Sequence, residues 1–299
     1  MEHVNEKVEI KQINKHTLKQ KLMSYKRTPG SFIVLLLVLL SAIITIGVLG
    51  FLIAYILIKG VPYLTGSLFS FTYTSDNVSM MPSIINTILI TFLSIIIAVP
   101  IGMFSAIYMV EYAKKGNKIV AAVRLTAETL TGIPSIVYGL FGMLFFVTTL
   151  KLGYSILAGA FTLAIMVLPV IMRTTEEALL SVPDSYREGS FGLGAGRLRT
   201  VFRVVLPSAI PGILSGIVLS VGRIVGETAA LIYTAGTVAN LPSSLLSSGR
   251  TLSVHMYSLS SEGLHTNEAY ATAVVLLVIV MILNFVSSFI AKKIGKKGE

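Results

Sequence analysis

Two charged residues, Arg223 and Glu227, stand four positions apart within a long apolar stretch. Positions i and i+4 share one face of a helix, so the two side chains are expected to lie together. Counted from Pro207, Arg223 is about 24 Å along a helix that rises about 1.5 Å per residue. A charge at that depth of a bilayer costs at least about 2.5 kcal/mol, so a charged residue there is expected to have a function. Because a guanidinium binds oxyanions through paired hydrogen bonds, the spacing predicts either a structural ion pair or an anion pathway with Glu227 as the resting counter-ion.

A second arginine, Arg173, stands at the end of another apolar stretch. Two interpretations stay open for it. In the first interpretation Arg173 is an anchor at the membrane interface, where long basic side chains reach the headgroups. Alternatively, it is a further cationic residue along the same pathway, which would suit a divalent anion.

The long polar segment between Arg173 and Arg203 has the pattern of a helix, a glycine turn and a second helix. Pro183 followed by Asp184 is typical of a helix start. Three alternate glycines then allow a sharp turn, and an amphipathic stretch follows before Pro207. The glycines do not predict a nucleotide site, because no strand precedes them and no phosphate-binding loop motif occurs in the chain. The glycines are Gly192, Gly194 and Gly196, and the apolar residues of the stretch are Leu198, Val201, Phe202 and Val205.

The elements that position these residues are predicted to be membrane-spanning helices. Hydrophobic residues make up 54% of the 299 residues, charged residues make up 13%, and the mean hydropathy is +0.82. A spanning helix needs about 20 apolar residues. Six runs qualify: Ser31–Ile58, Ser83–Val110, Thr129–Leu150, Leu152–Met172, Val204–Gly222 with a continuation past Glu227, and Ala269–Ala291.

Lysine and arginine set the orientation. Twenty of them lie in the two tails and in the loops after spans 2 and 4, whereas the alternate loops hold only Lys59, Lys151 and Arg250. The positive-inside rule then places both termini in the cytoplasm, and an even number of spans agrees with this. The net charge of +10 therefore reports topology, and nucleic acid is not expected as a partner. We predict a basic cytoplasmic tail over 1–30, a first helix and external loop over 31–82, a core over 83–291 and a basic tail over 292–299.

The cytoplasmic loop resembles the EAA loop of ABC importer permeases. Glu188, Gly194 and the pair Leu206-Pro207 fall in the register of that motif, although Gly189 and Ser190 replace its two alanines. The resemblance implies the six-helix type I permease fold, all α-helical, and a coupling helix that docks on a separate ATPase. The chain itself would then hold no ATPase site.

Further motifs resemble the PstA family of phosphate importer permeases. They are Gly226–Leu231 (GETAAL), Thr131–Leu140 (TGIPSIVYGL) and Leu168–Leu179 (LPVIMRTTEEAL). The resemblance implies phosphate as cargo, Arg223, Glu227 and Arg173 along its route, and membrane lipid as the surroundings. It also implies a PstC-like permease as heterodimer partner, two PstB-like ATPase subunits and an external PstS-like phosphate-binding protein.

Other classes of function fit the sequence less well. A permease for molybdate or sulfate remains open. A proton-coupled transporter using Glu227 leaves the loop over 188–207 unexplained. An intramembrane enzyme lacks candidate catalytic residues, since all four histidines lie outside the predicted spans. With no cysteine and no His-Glu-x-x-His motif, neither a metal nor a cofactor is expected.

Overall fold

A computed structural model describes residues 29–114 and 116–295. Within these ranges the chain forms helices and no strands, as the sequence predicts. The helices are α1 (Pro29–Gly60), α2 (Met81–Ile107), α3 (Lys118–Thr131), α4 (Ser135–Gly142), α5 (Ile156–Leu180), α6 (Asp184–Gly192), α7 (Arg197–Thr200), α8 (Leu206–Val225), α9 (Ala229–Ile232), α10 (Leu252–Glu262) and α11 (Thr266–Gly295). Three π-helical turns, Tyr108–Tyr112, Met143–Thr149 and Val201–Val205, continue α2, α4 and α7.

Among the described residues, five single helices are long and apolar enough to cross a membrane, and there are six such spans when one bent pair is counted as a broken span. The bent pair is Lys118–Thr131 with Ser135–Thr149, at an angle of 106°. The predicted continuous third span, Thr129–Leu150, is therefore wrong in its bounds. Pro134 supplies no backbone N–H and disfavours helical geometry at Ile133, so the helix stops at Thr131 and restarts at Ser135.

The prediction that the fifth span resumes past Glu227 is also wrong. Helix α8 ends at Val225, and the chain passes through Gly226 before the single-turn helix α9. Gly139 of α4 packs so closely on α9 that a Cβ added to it would lie 2.8 Å from the Cα of Ala230. The chain after α8 therefore packs against the broken third span rather than extending the fifth.

The core lies between α2, α5 and α8, with α11 packed on α8. The middle of the core holds apolar side chains of α2, α5 and α8, including Ile90, Leu163 and Ile224. Small residues let the helices approach closely, as in membrane proteins generally. A second apolar cluster at the cytoplasmic end joins the ends of α2 and α5 to the π-helical turn before α8.

Helix α1 is a run of exposed apolar side chains, and no residue of its most apolar window is buried. This pattern suits a helix in contact with lipid. The contacts divide the chain into two units, of which one ends at Tyr55 and the other begins at Ile56. The predicted basic tails, 1–30 and 292–299, lie mostly outside the described residues, and their role stays a prediction.

Candidate functional site

Arg223 lies two residues before the end of α8 and is half-buried. Among the described residues, no carboxylate lies within 4.0 Å of its guanidinium. The guanidinium does act electrostatically on the Tyr138 hydroxyl of α4. The structure therefore places a positive charge without a neutralising partner between the outer end of α8 and the broken third span.

Glu227 does not pair with Arg223, which corrects the expected i, i+4 ion pair. The helix ends between the two residues, so the periodicity that would place them on one face is lost. The carboxylate is 8% exposed, and its Oε1 accepts a hydrogen bond from the Ala230 N–H at 3.1 Å. Its backbone carbonyl accepts one from the Ser253 hydroxyl at 2.6 Å. In this conformation Glu227 holds the start of α9 and the first turn of α10.

Tyr138, the residue of α4 on which the Arg223 charge acts, also holds the break between α3 and α4. The Tyr138 hydroxyl donates to the Leu130 carbonyl at 2.8 Å and so ties α4 to the last turn of α3. Helix α4 begins after Pro134 without a side-chain cap. The Val137 N–H donates to the Pro134 carbonyl at 3.0 Å, and the N–H groups of Ser135 and Ile136 have no acceptor among the described residues. Broken helices whose N-terminal ends face anionic groups are a recurring device of membrane transporters.

Arg173 belongs to a different part of the molecule. It lies near the cytoplasmic end of α5, is exposed, and forms an ion pair with Glu177 at 3.0 Å. Nearby, Arg124 of α3 pairs with Glu176 at 2.6 Å. With Glu128, these residues line one cavity of about 220 Å³. Among the described residues, Arg173 and Arg223 share no interacting partner, so the structure does not join them in one site.

The cytoplasmic loop forms the predicted helix, turn and second helix. Helix α6 ends in a turn in which Gly194 has φ +81°. The Gly194 N–H donates to the Phe191 carbonyl at 2.9 Å, and the Ala195 N–H donates to the Ser190 carbonyl at 3.1 Å. This pair of bonds is the Schellman motif, which needs a left-handed residue. Glycine is the residue that adopts this conformation without strain.

The departure from two alanines in the loop has a structural counterpart. The Ser190 hydroxyl forms a hydrogen bond of 2.8 Å with the Thr200 hydroxyl, which joins α6 to α7. Gly189 has open space around it. Ser190 therefore adds a link that alanine would lack.

Several apolar side chains of the loop point into solvent. Leu193 is 91% exposed and Leu198 is 66% exposed, whereas Val201 and Val205 of the following turn are buried. The predicted apolar face of the second helix is thus divided between the core and the surface. Glu188 is exposed, and Leu206 and Pro207 begin α8, with Leu206 packed on the cytoplasmic cluster.

Sequence reasoning missed the role of Arg187 and Glu111. The Arg187 Nη2 lies 2.7 Å from the Glu111 Oε1, and both side chains are largely buried, at 14% and 8% exposed. In the sequence, Arg187 is one of the basic residues that indicate a cytoplasmic loop, and Glu111 is the last acidic residue before another basic loop. Since 76 positions separate them, no local pattern could have joined them.

Part of the external segment over 234–268 is buried, including Arg250, Thr251 and Leu252. Asn86 of α2 donates to the Arg250 carbonyl at 3.1 Å, and the Leu252 N–H donates to the Thr87 hydroxyl at 2.8 Å. The Arg250 guanidinium lies 4.8 Å from the centre of the Tyr73 ring. These bonds hold the segment against the outer end of α2.

Solved structures define the class of fold. The permease-containing structure of an ABC transporter for the import of alginate matches with a TM-score of 0.61 and 16% identity, covering 91% of this chain and 99% of that chain. The inward-facing MetNI methionine ABC transporter matches with a TM-score of 0.56 and 21% identity, covering 72% and 94%. The chain has the type I ABC importer permease fold, and the predicted fold class is confirmed.

The family follows from the sequence match. The model of the binding-protein-dependent transport system inner membrane component matches residues 98–297, and the chain belongs to this family. It is a multi-pass protein of the cytoplasmic membrane and a transport component.

Curated relatives agree with this membership. A probable ABC transporter permease protein, YqgI of Bacillus subtilis, is 36% identical over 86% of this chain and 94% of its own length. The phosphate transport system permease protein PstA 1 of Mycobacterium tuberculosis is 42% identical over 47% of this chain and 46% of its own length. A PstA homolog of Mycoplasma pneumoniae is 34% identical over 70% of this chain and 33% of its own length.

Proposed function

We propose that the chain is the permease subunit of an ATP-driven importer that moves inorganic phosphate across the cytoplasmic membrane. The observation that carries the proposal is the Arg223 guanidinium within a spanning helix, with no carboxylate partner among the described residues. An uncompensated cation in a membrane is costly, so it is retained where an anion passes. Phosphate matches the planar donors of a guanidinium. The printed names of the PstA relatives support the same cargo.

The cargo reaches Arg223 beside the broken third span. There the N–H groups of Ser135 and Ile136, at the start of α4, add partial positive charge to that of Arg223. Glu227, which holds the start of α9, keeps this segment in place in the conformation seen here. Arg173 receives the anion later, nearer the cytoplasm, where Glu177 neutralises it at rest.

The loop over 188–207 couples the permease to ATP hydrolysis. Its exposed apolar side chains, Leu193 and Leu198, flank the glycine turn and offer a hydrophobic contact to an ATPase subunit. The chain contributes no ATPase site of its own. The assembly we propose contains a PstC-like permease, two PstB-like ATPase subunits and an external PstS-like phosphate-binding protein.

A proton-coupled mechanism through Glu227 has less support. The carboxylate is engaged as the acceptor for the Ala230 N–H and so holds the start of α9 in the conformation seen here. Molybdate and sulfate permeases share the oxyanion chemistry, and competition between anions separates them from a phosphate importer.

The test is uptake by the complete complex in proteoliposomes, with labelled inorganic phosphate and competing molybdate or sulfate. We expect uptake to need ATP, and unlabelled phosphate alone to compete at low concentration. Arg223→Gln, which keeps a polar side chain but removes the charge, should lower uptake at least tenfold while the complex still assembles. Competition by molybdate or sulfate but not phosphate would overturn the cargo. Undiminished uptake by the Arg223→Gln complex would overturn the role of the arginine.

A further inference from the structure

The Arg187 guanidinium, on the coupling helix α6, is saturated with acceptors. Its Nε donates to Glu111, and its Nη2 donates to Glu111 at 2.7 Å and to the Leu179 carbonyl at 2.9 Å. Its Nη1 donates to the Val182 carbonyl at 2.8 Å and to Asp184 at 3.3 Å. A guanidinium has five N–H donors, and all five have acceptors here.

These acceptors belong to different helices. Glu111 lies in the π-helical turn that ends α2, and Leu179 lies in the last turn of α5. Val182 lies in the short turn between α5 and α6. One side chain of the coupling helix therefore holds the cytoplasmic ends of two membrane-spanning helices.

The burial of the pair makes this link stiff. Removing one partner of a buried ion pair leaves an uncompensated charge, so the two groups are held together strongly. By contrast, the Arg124–Glu176 pair is half exposed on its arginine side and screened by solvent. The apolar cluster directly beneath the link contains Leu179, Val182 and Val201. A displacement of α6 cannot be absorbed at this point without breaking several buried bonds.

We propose that the Arg187–Glu111 pair is the joint that passes movement of the coupling helix to α2 and α5. It rests on the proposed function, in which α6 docks on an ATPase. Both are positioning residues: they touch neither ATP nor the transported anion. With the joint intact, α6 and the cytoplasmic half of α2 move as one body when the ATPase closes. With the joint broken, α6 moves without the cytoplasmic half of α2.

The experiment compares Arg187→Lys and Glu111→Gln in the complete complex with the wild type. Lysine keeps the charge but has three donors and no fork, so it cannot hold both helix ends. Arg124→Lys is the matched control, because Arg124 also pairs with a carboxylate, Glu176, but lies outside the loop over 188–207 and is half exposed. The measured quantities are ATPase co-purification, ATP hydrolysis, and labelled phosphate imported per ATP hydrolysed.

We expect both variants to co-purify with the ATPase and to hydrolyse ATP, while phosphate imported per ATP falls at least fivefold. The control should keep the wild-type ratio. If phosphate imported per ATP is unchanged in both variants, the proposal that the pair passes on movement is wrong. Loss of ATPase co-purification would also overturn it, because the pair would then only maintain the fold. Failure of the wild-type chain itself to bind an ATPase or import phosphate would overturn the proposed function.

A distance measurement gives a readout that a purely structural role would not move. The chain has no cysteine, so spin labels can be placed by Ser185→Cys on α6 and Phe104→Cys on α2. With the joint intact, the distance between the labels should be the same with and without ATP. In Arg187→Lys it should change on ATP binding. A distance that changes equally in both backgrounds would contradict the proposal.

Discussion

Replacing Gly194 by alanine tests whether the coupling loop needs its left-handed turn. Gly194 has φ +81°, and a Cβ added there would meet nothing within 4 Å. The cost of the substitution is therefore conformational and not steric. Holding a residue with a Cβ in the left-handed region costs about 1–2 kcal/mol. That lowers the population of the observed turn about 5- to 30-fold relative to other conformations of the loop.

Gly192→Ala is the matched control. Gly192 is the last residue of α6, its added Cβ would also meet nothing within 4 Å, and its φ is not positive. Alanine there gains helix propensity of about 0.8–1 kcal/mol. Gly194→Asn should lie between the two alanine variants, because asparagine tolerates the left-handed conformation.

The assay is titration of the reconstituted permease with its ATPase subunit. We expect Gly194→Ala to weaken the apparent affinity by the same factor of about 5–30 by which the turn population falls. Gly192→Ala should bind as the wild type does or slightly more tightly. If the two alanine variants bind equally well, docking does not depend on the left-handed turn, and the reasoning from its geometry is wrong.

Two further predictions concern packing and pH. Gly216→Ala in α8 would place a Cβ 2.6 Å from the Thr174 Cβ of α5; overpacking of this kind costs about 1–3 kcal/mol, so the melting temperature should fall. Gly222→Ala on the same helix meets nothing closer than 3.8 Å and should not lower it; equal melting temperatures would contradict the packing. Burial, aided by a neighbouring arginine, lowers the pKa of His255 from 6.5 to about 3. Folded protein therefore binds fewer protons than unfolded chain between these values, and stability should fall as pH drops below 6.5, by up to about 1.4 kcal/mol per pH unit. His255→Gln should reduce this slope in detergent melting curves; an identical slope in His255→Gln would refute the assignment.

Much of the architecture could be predicted from local sequence. Uncharged runs of sufficient length located the spans, because a bilayer admits only helices of about 20 apolar residues there. The turn at Gly194 could be predicted because Gly192, Gly194 and Gly196 stand between two helical patterns. Composition and periodicity act over a few neighbouring residues, and these features depend on nothing further away.

Other features did not follow from hydropathy or residue spacing. Hydropathy alone could not show that the third span breaks at Pro134, because the two helices together are long and apolar enough for one span and the 106° angle between them belongs to the folded chain. The i, i+4 spacing predicts that Glu227 pairs with Arg223. The helix ends between them, however, and the Glu227 carboxylate accepts a hydrogen bond from the Ala230 N–H instead.

The link between Arg187 and Glu111 shows most clearly what the sequence could not contain. Each residue alone reads as an ordinary charge in a polar loop or at a helix end. Only the packing of α2, α5 and α6 brings the two within 2.7 Å and removes them from water. The sequence by itself determined a membrane permease with a docking loop, because burial in lipid and turn geometry are local requirements. The tertiary structure decided which helix ends the loop holds, because an ion pair between residues 76 positions apart exists only once the helices have packed.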